Sequence, residues 1–227
     1  MPEASRILVI SQHFDDAVFS CGAWIASNSN AVVCTVFAGC PDTRVATDWD
    51  HQCGFSDARQ AMRERIAEDD RALELLGATG ERLNFLDAQY VPYGDAPTTV
   101  NTVERVLCTI IRSSEPATLV IPLGLYHSDH VLTHMACRNA WRSSRGLTCI
   151  AYEDALYRRI DGLVQQRLAD LLANGIAATP EASHEHPALA KRNAVGAYTS
   201  QLKAFGPHGY DDVYADEHYW RLGLATQ

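Results

Sequence analysis

A chain of 227 residues with a formal net charge of −9 is long enough for one large α/β domain and leaves little room for two. The negative charge sets it against phosphate backbones, so no nucleic-acid partner is expected, and 47% hydrophobic with 21% charged residues excludes a disordered chain. No apolar run approaches the roughly 20 residues of a membrane span. Ile7–Ile10 is followed at once by His13, Asp15 and Asp16, which is not a signal peptide; a cytoplasmic location is the expectation.

Arg6–Ser11 is predicted as a buried strand, Ala17–Ser27 as a helix and Val32–Ala38 as a second strand, the pattern of a parallel βαβ unit. The polar stretch Gly39–Ser56 is longer than an ordinary connection and is a candidate rim of a site. Asp57–Gly77 is predicted as a helix, capped by Ser56 or Asp57 and ended by Gly77. Then follow a strand over Arg82–Leu86, a helix over Thr98–Ser113, a strand over Thr118–Pro122, a helix from His127 to about Arg142 and a strand over Thr148–Glu153. Gly162–Ala173 and Pro187–Ala204 are predicted as further helices. The alternation gives an α/β fold class, a three-layer sandwich around a mostly parallel sheet. It is expected as one domain over 1–227, with residues from about 155 onward as a C-terminal cap or decoration. The seven cysteines (Cys21, Cys34, Cys40, Cys53, Cys108, Cys137 and Cys149) contain no C-x-x-C pair. Reduced, buried thiols are expected, not a cysteine-rich zinc site.

Two segments carry the chemistry. The first strand ends in Ser11-Gln12-His13-Phe14-Asp15-Asp16, and the strand ending at Pro122 is followed by Gly124-Leu125-Tyr126-His127-Ser128-Asp129-His130. Open parallel sheets bind ligands beyond the carboxyl ends of their strands. If the two segments meet there, they offer His, Asp and His to a metal and leave a fourth position for water, the coordination of a catalytic zinc. Asp15 is then placed to take a proton from that water. His127, which shares a helical face with His130, can donate to a developing oxyanion or to the leaving nitrogen. Asp129 can orient a histidine.

Blander roles stand beside these. Asp15 and Asp16 can cap a helix, His13 can be a satisfied strand-end histidine, and His127 and His130 can belong to a solvated turn. Arg65 can pair with nearby carboxylates. His134 lies four residues after His130 but lacks the H-E-x-x-H context and reads as a packing or supporting residue. His184 and His186 read as exposed. Trp49 and Tyr93 can stack on a sugar or simply pack.

Segment 13–16 resembles the H-x-D-D motif of the PIG-L (LmbE-like) deacetylases, and 127–130 resembles their H-x-D-H motif. Arg65-x-x-Glu68 with Ala72 and Leu76-Gly77 is similar to the family's R-x-x-E helix. Phe37-Ala38-Gly39, Trp49-Asp50, Gly54-Phe55, Tyr152-Glu153-Asp154, Tyr198-Thr199-Ser200-Gln201 and Tyr219-Trp220-Arg221-Leu222 resemble a bacterial branch. The resemblance implies a Rossmann-like fold and a metal-dependent hydrolase that removes the N-acetyl group from an N-acetylglucosamine-type amino sugar. It implies zinc, with ferrous iron as the alternative, held by His13, Asp16 and His130. Asp15 would be the general base, His127 the stabiliser of the tetrahedral intermediate with Asp129 supporting it, and Arg65 and Asp87 contacts to substrate. The partner implied is a small molecule or glycoconjugate bearing the acetylated sugar.

Phe14 stands where many members have Pro, and Ala17 where many have Glu, which leaves the sugar carrier open. Four other readings compete. The same site can cleave a bulkier amide such as a thiol conjugate, or the chain can bind metal without catalysis. A receiver-type domain, with Asp87 as phosphoacceptor, leaves H-x-D-H unexplained. A dinucleotide-binding oxidoreductase lacks its glycines, since residues 11–22 contain only Gly22.

Overall fold

The structure is a computed structural model that describes residues 6–28, 30–91, 97–181, 188–207 and 209–225. Along the chain run β1 (Ile7–Ser11), α1 (Asp16–Ser27), β2 (Ala31–Thr35), α2 (Asp48–Cys53), α3 (Ala58–Leu76) and β3 (Thr79–Arg82). They are followed by α4 (Val100–Ser114), β4 (Thr118–Pro122), α5 (Ser128–Arg142) and β5 (Thr148–Tyr152). The last third adds α6 (Leu163–Ala173), β6 (Ile176–Glu181), α7 (Ala188–Val195), α8 (Thr199–Phe205) and β7 (Tyr219–Leu224). The strands form one seven-stranded sheet in the order β3-β2-β1-β4-β5-β7-β6. β3 through β5 pair in parallel, and β7 runs antiparallel to both β5 and β6.

The central strands are apolar on both sides, as a sheet covered on both faces requires. Alternation along each strand divides them. Val9, Val33, Val120 and Ile150 face one core with Val18 and Ile25 of α1, Met62 and Leu73 of α3, and Ala194 of α7. Leu8, Ile10, Leu119, Ile121 and Ala151 face the other, with Leu107 of α4, Ala136 of α5 and Leu171 of α6. All seven cysteines are free thiols, five of them buried; Cys40 is exposed and Cys108 half-buried. Among the described residues no helix is long and apolar enough to cross a membrane.

The structure departs from the sequence reading at four places. The third strand lies at Thr79–Arg82, not Arg82–Leu86. β2 supplies partners only to Thr35, because Val36 and Phe37 turn their N–H groups to the carbonyls of Ser11 and Gln12. The segment after Arg82 is left with a single bridge, Asn84 to Phe37. The long polar stretch holds α2, started by a capping box in which Thr47 and Asp50 satisfy each other's backbone N–H. The predicted helix 187–204 is two helices: the Glu68 carboxylate accepts the N–H and the hydroxyl of Ser200 and the hydroxyl of Thr199, which starts α8 afresh. Finally, the region after 155 contributes β6 and β7 to the sheet itself. Pro180 in β6 is tolerated because that strand is the sheet's edge.

α1 is not continuous. Cys21 leaves helical geometry (φ −143°), and the N–H groups of Ala23 and Trp24 beyond it donate to the two carboxylate oxygens of Glu217 at 2.9 and 3.0 Å. Glu217 is buried, with the Lys191 ammonium 2.9 Å away.

Candidate metal centre and active site

β1 and β4 are parallel neighbours, so the loops leaving their carboxyl ends lie side by side. This brings the two motif segments together although more than a hundred residues separate them. Nδ1 of His13 is 2.9 Å and Nε2 of His130 is 3.3 Å from the same oxygen, Oδ2 of Asp16. The three residues' ligand atoms all lie within 4.8 Å of one another. A tetrahedral cation with bonds of about 2.0–2.2 Å holds its ligands about 3.3–3.6 Å apart, so this donor set fits a divalent metal after small adjustment.

The electrostatics agree. Burial opposes the charged form of His13, but Asp87, Asp129 and Asp16 outweigh it and lift its pKa well above the usual histidine value. His130 is likewise penalised by burial yet raised to about 9 by Asp16 and Asp154. Asp16, also penalised by burial, is held well below the usual carboxylate range by His130 and His13. The cluster favours positive charge, which a divalent cation would supply in place of the protons.

Both histidines of this cluster are held from behind. His130 Nδ1 is 2.7 Å from Oδ1 of Asp154. Asp154 takes the side-chain N–H of Gln12 on Oδ1 (2.6 Å) and the backbone N–H groups of Gly124 and Leu125 on Oδ2. The Tyr152 hydroxyl is 2.9 Å from Gln12 Oε1. This fixes the His130 tautomer with its proton on Nδ1 and leaves Nε2 free toward Asp16. Asp154 and Gln12 were not among the site residues read from sequence. The available signal was position: Asp154 sits two residues beyond β5, beside the end of β4. Asp129 stands behind His13 in the same way. Its Oδ2 lies 3.2 Å from His13 Nε2 and accepts the N–H of Ala88. Its hydrogen bond to His127 runs through its own backbone N–H, which donates to His127 Nδ1 at 3.3 Å.

Asp15 occupies the N-cap of α1 but makes no side-chain capping bond. The Ser11 hydroxyl takes that task and accepts the N–H of Ala17. The free carboxylate lines the cavity above the ligands. Burial, then the negative charge of Asp16, pushes its pKa up to about 7. His127 is the N-cap of α5. Burial first, and then the neighbouring His13 and His130, holds it below the usual histidine value, so it is neutral.

The cavity has a volume of about 400 Å³. His13, Asp15, Asp16, His127 and His130 line it, and so do Arg65, Asp87 and Trp49. The Arg65 guanidinium pairs with Asp50 at 3.1 Å and donates to the Tyr90 hydroxyl, so it is anchored structurally while lining the cavity. Asp87 caps a short 3-10 turn through the N–H of Gln89, and its Oδ2 is 3.7 Å from His13 Nε2. Trp49 packs on Phe205 and donates to Gln201, both from α8. Tyr198 sets the start of that helix; its hydroxyl lies 3.0 Å from both the Phe14 carbonyl and Asp69 Oδ1. His134 lies outside the site, buried with Nδ1 donating to the Pro122 carbonyl. His218 is exposed and pairs with Glu153. Tyr93, His184, His186 and His208 lie outside the described residues.

A mixed α/β fold with two imidazoles and a carboxylate converging beyond the strand ends, and a second carboxylate free beside them, defines a candidate metal-dependent hydrolase. Residues 8–141 match the family model described as PIG-L, GlcNAc-PI de-N-acetylase; the match spans more than half of the chain, and the chain belongs to this family. It is similar to the 2'-N-acetylparomamine deacetylase of Streptomyces fradiae, with 31% identity over 166 residues, 67% of this chain and 57% of that protein. The chain thus spans little more than half the length of that curated relative. The crystal structure of the A40926 pseudoaglycone deacetylase superposes with a TM-score of 0.80 at 26% identity, covering 99% of this chain and 100% of that one. A deacetylase of teicoplanin biosynthesis shares the fold, with a TM-score of 0.82 at 24% identity over 97% of this chain and 99% of that one.

Proposed function

We propose that the chain is a metal-dependent N-deacetylase that hydrolyses the N-acetyl group of an amino sugar to acetate and a free amine. The observation that carries this reading is Asp15: a carboxylate beside the ligand cluster, relieved of helix capping by Ser11 and raised to about 7 by burial. Metal binding alone does not require such a group; general-base catalysis near neutral pH does.

In the proposed reaction His13, Asp16 and His130 hold the cation, zinc in our reading with ferrous iron as the alternative. When bound, it supplies Lewis acidity to the attacking water and to the amide carbonyl. Asp15 accepts the water's proton as its oxygen adds to the carbonyl carbon. Because His127 Nδ1 accepts the Asp129 N–H, its proton sits on Nε2, from which it donates to the carbonyl oxygen as charge builds there. Asp129 holds the His13 ring in place. The proton on Asp15 then passes to the sugar nitrogen as the C–N bond breaks. Arg65 and Asp87 are proposed to meet substrate hydroxyls from the cavity wall.

The Streptomyces relative is named for 2'-N-acetylparomamine and the solved relative for the A40926 pseudoaglycone, so an N-acetylated sugar on an antibiotic-like carrier is the substrate class we propose. We read the fold as a Rossmann-like three-layer sandwich in one domain over 1–227. The apolar side of the cavity, with Phe19, Met62, Trp49 and Phe205, favours a second reading, hydrolysis of a bulkier amide at the same site.

The test is metal content by elemental analysis, paired with acetate release from N-acetylated amino sugars before and after chelation. About one cation per chain, with release lost on chelation and restored on refilling, is the expected result. Metal without acetate release, but with cleavage of a longer acyl amide, selects the second reading. A chain that takes up no zinc or iron after refilling refutes both.

A further inference from the structure

We propose that Tyr126 and Tyr157 form a stacking platform at the mouth of the cavity, and that it receives a flat ring bonded to the acetylated sugar, the first ring of the carrier, whether aromatic or pyranose. The proposal rests on the deacetylase reading above and names the part of the substrate that lies beyond the sugar.

The first support is the pair itself. The two phenol rings stack with centroids 5.5 Å apart and planes 28° from parallel. Tyr157 is the inner member: it lines the cavity, and its ring meets that of His130 edge-on at 5.1 Å. Tyr126 is the outer member. It is 69% exposed, and it is the one aromatic among the exposed large apolar side chains of the described residues. The stack therefore leads outward from the ligand cluster, and a sugar that presents its acetamide beside His130 brings its next ring to Tyr126. A tyrosine face suits both an aromatic ring and the C–H face of a pyranose.

The backbone is the second support. Tyr126 has φ +60° and Leu156 has φ +71°, in the left-handed region that bulky side chains avoid. The other described non-glycine residues with positive φ, Asn30 and Glu115, precede β2 and β4, at the end of the sheet away from the site. Tyr126 and Leu156 stand at equivalent places beyond β4 and β5, whose ends pair Pro122 with Tyr152. Two neighbouring loops thus carry strain beside the cavity, as ligand clamps do. In Tyr126 that strain turns an aromatic ring out to water, which packing alone does not reward.

Rigidity is the third. The Leu156 N–H donates to Asp212 Oδ2 at 2.7 Å, and Arg158 Nε lies 3.2 and 3.0 Å from the two oxygens of the same carboxylate. Tyr157 is held between them. The His127 N–H donates to the Leu125 carbonyl at 2.8 Å and closes the turn around Tyr126. A platform already fixed in this way binds a ring without the ordering cost that a loose one carries.

The experiment compares kcat/KM of the zinc-loaded chain on three N-acetylglucosaminides: the methyl glycoside, the phenyl glycoside and a disaccharide in which glucose takes the place of phenyl. At least one ring-bearing substrate is expected to exceed the methyl glycoside by about 3- to 10-fold, mainly through KM, the range of one ring-on-ring contact. The substrate with the larger gain identifies the ring as aromatic or pyranose. Tyr126→Asn, which suits the left-handed backbone, is expected to erase the advantage and Tyr126→Phe to keep it. Bound zinc reports a folded site in each variant, and Tyr126→Ala repeats the test if the asparagine variant fails to fold. Three results overturn the platform and leave the deacetylase reading standing: no advantage in the wild type, an advantage that survives loss of the ring, or one that Tyr126→Phe abolishes. No acetate release by the wild type from any of the three substrates overturns both.

Discussion

Asp154 and His130 meet between two neighbouring strands: Oδ1 of the acid lies 2.7 Å from Nδ1 of the imidazole, and both residues are almost fully buried. The acid also gathers the N–H groups of Gly124 and Leu125, so one carboxylate sets both the ring and the loop that carries it. Asp154→Asn keeps the shape and removes the charge. Cation affinity is expected to fall about 10- to 100-fold, measured by competition with a chelating dye, while the fold is retained by circular dichroism.

Asp15→Asn is expected to lower kcat by about 10²- to 10⁴-fold and to leave the bound cation in place, whereas His13→Ala loses both. Elemental analysis of the two variants beside their acetate release checks this. Wild-type turnover by Asp15→Asn would show the base to be another group.

The pH profile follows from the same carboxylate. Asp15 works ionised, and its pKa is raised to about 7 by burial and by Asp16 when no cation is present. A cation beside it favours the ionised form and brings that value down. So kcat/KM is expected to fall on the acid side with a midpoint below 7, and the stripped chain should titrate this group at higher pH than the loaded one. Carboxyl NMR shifts with and without zinc measure the difference.

His134 links acidity to stability. Burial keeps its pKa down at about 3 in the folded chain, against roughly 6.5 in an unfolded one. Between these values the unfolded state holds a proton that the folded state refuses. Its contribution is complete above about pH 6.5 and is lost as pH falls toward 3, with a slope approaching about 1.4 kcal/mol per pH unit. Urea unfolding across this range should show a slope smaller by one proton in His134→Leu than in the wild type.

Gly124 lies in the turn between β4 and α5 at φ +77°, where a Cβ would stand 2.4 Å from the Cβ of His134 and 2.9 Å from the carbonyl of His130. Neither neighbour can yield, one being packed in the core and the other in a helix. Gly124→Ala is expected to destabilise the chain by about 1–3 kcal/mol and to weaken cation binding, because the displaced turn carries His127 and His130. Thermal unfolding and zinc affinity of the variant test both.

The convergence of His13, Asp16 and His130 was legible in the sequence because they stand in two short segments at the carboxyl ends of apolar runs. β4 was read to the residue, and α3 appears between its Asp57 and Gly77 caps. Residues that act through a distant partner were not legible. Asp154 acquires meaning only when β4 and β5 lie side by side, and Glu68 only when α8 arrives to be capped. Arg65 was read both as a substrate contact and as a partner of nearby carboxylates; the pairing is present, but its partner, Asp50, fifteen residues earlier, was not identified. β6 and β7 escaped because one carries Pro180 and the other mixes Trp, Arg and Gly with its apolar residues. Their pairing is decided by the edge of β5 and by each other.

The clamp of Glu217 on the broken first helix sets an order of events during synthesis. A chain emerging from the ribosome displays all three proposed ligands once residue 130 is out, and the whole family-matched segment by residue 141. Asp154 behind His130, the Tyr198 hydroxyl at the Phe14 carbonyl and Glu217 on the freed N–H groups of α1 all emerge later. A nascent chain thus exposes metal-seeking side chains well before the fold can orient them. The proposed cation is therefore expected to be captured late in biogenesis, and a fragment stopped at residue 141 is expected to chelate loosely and to show no activity.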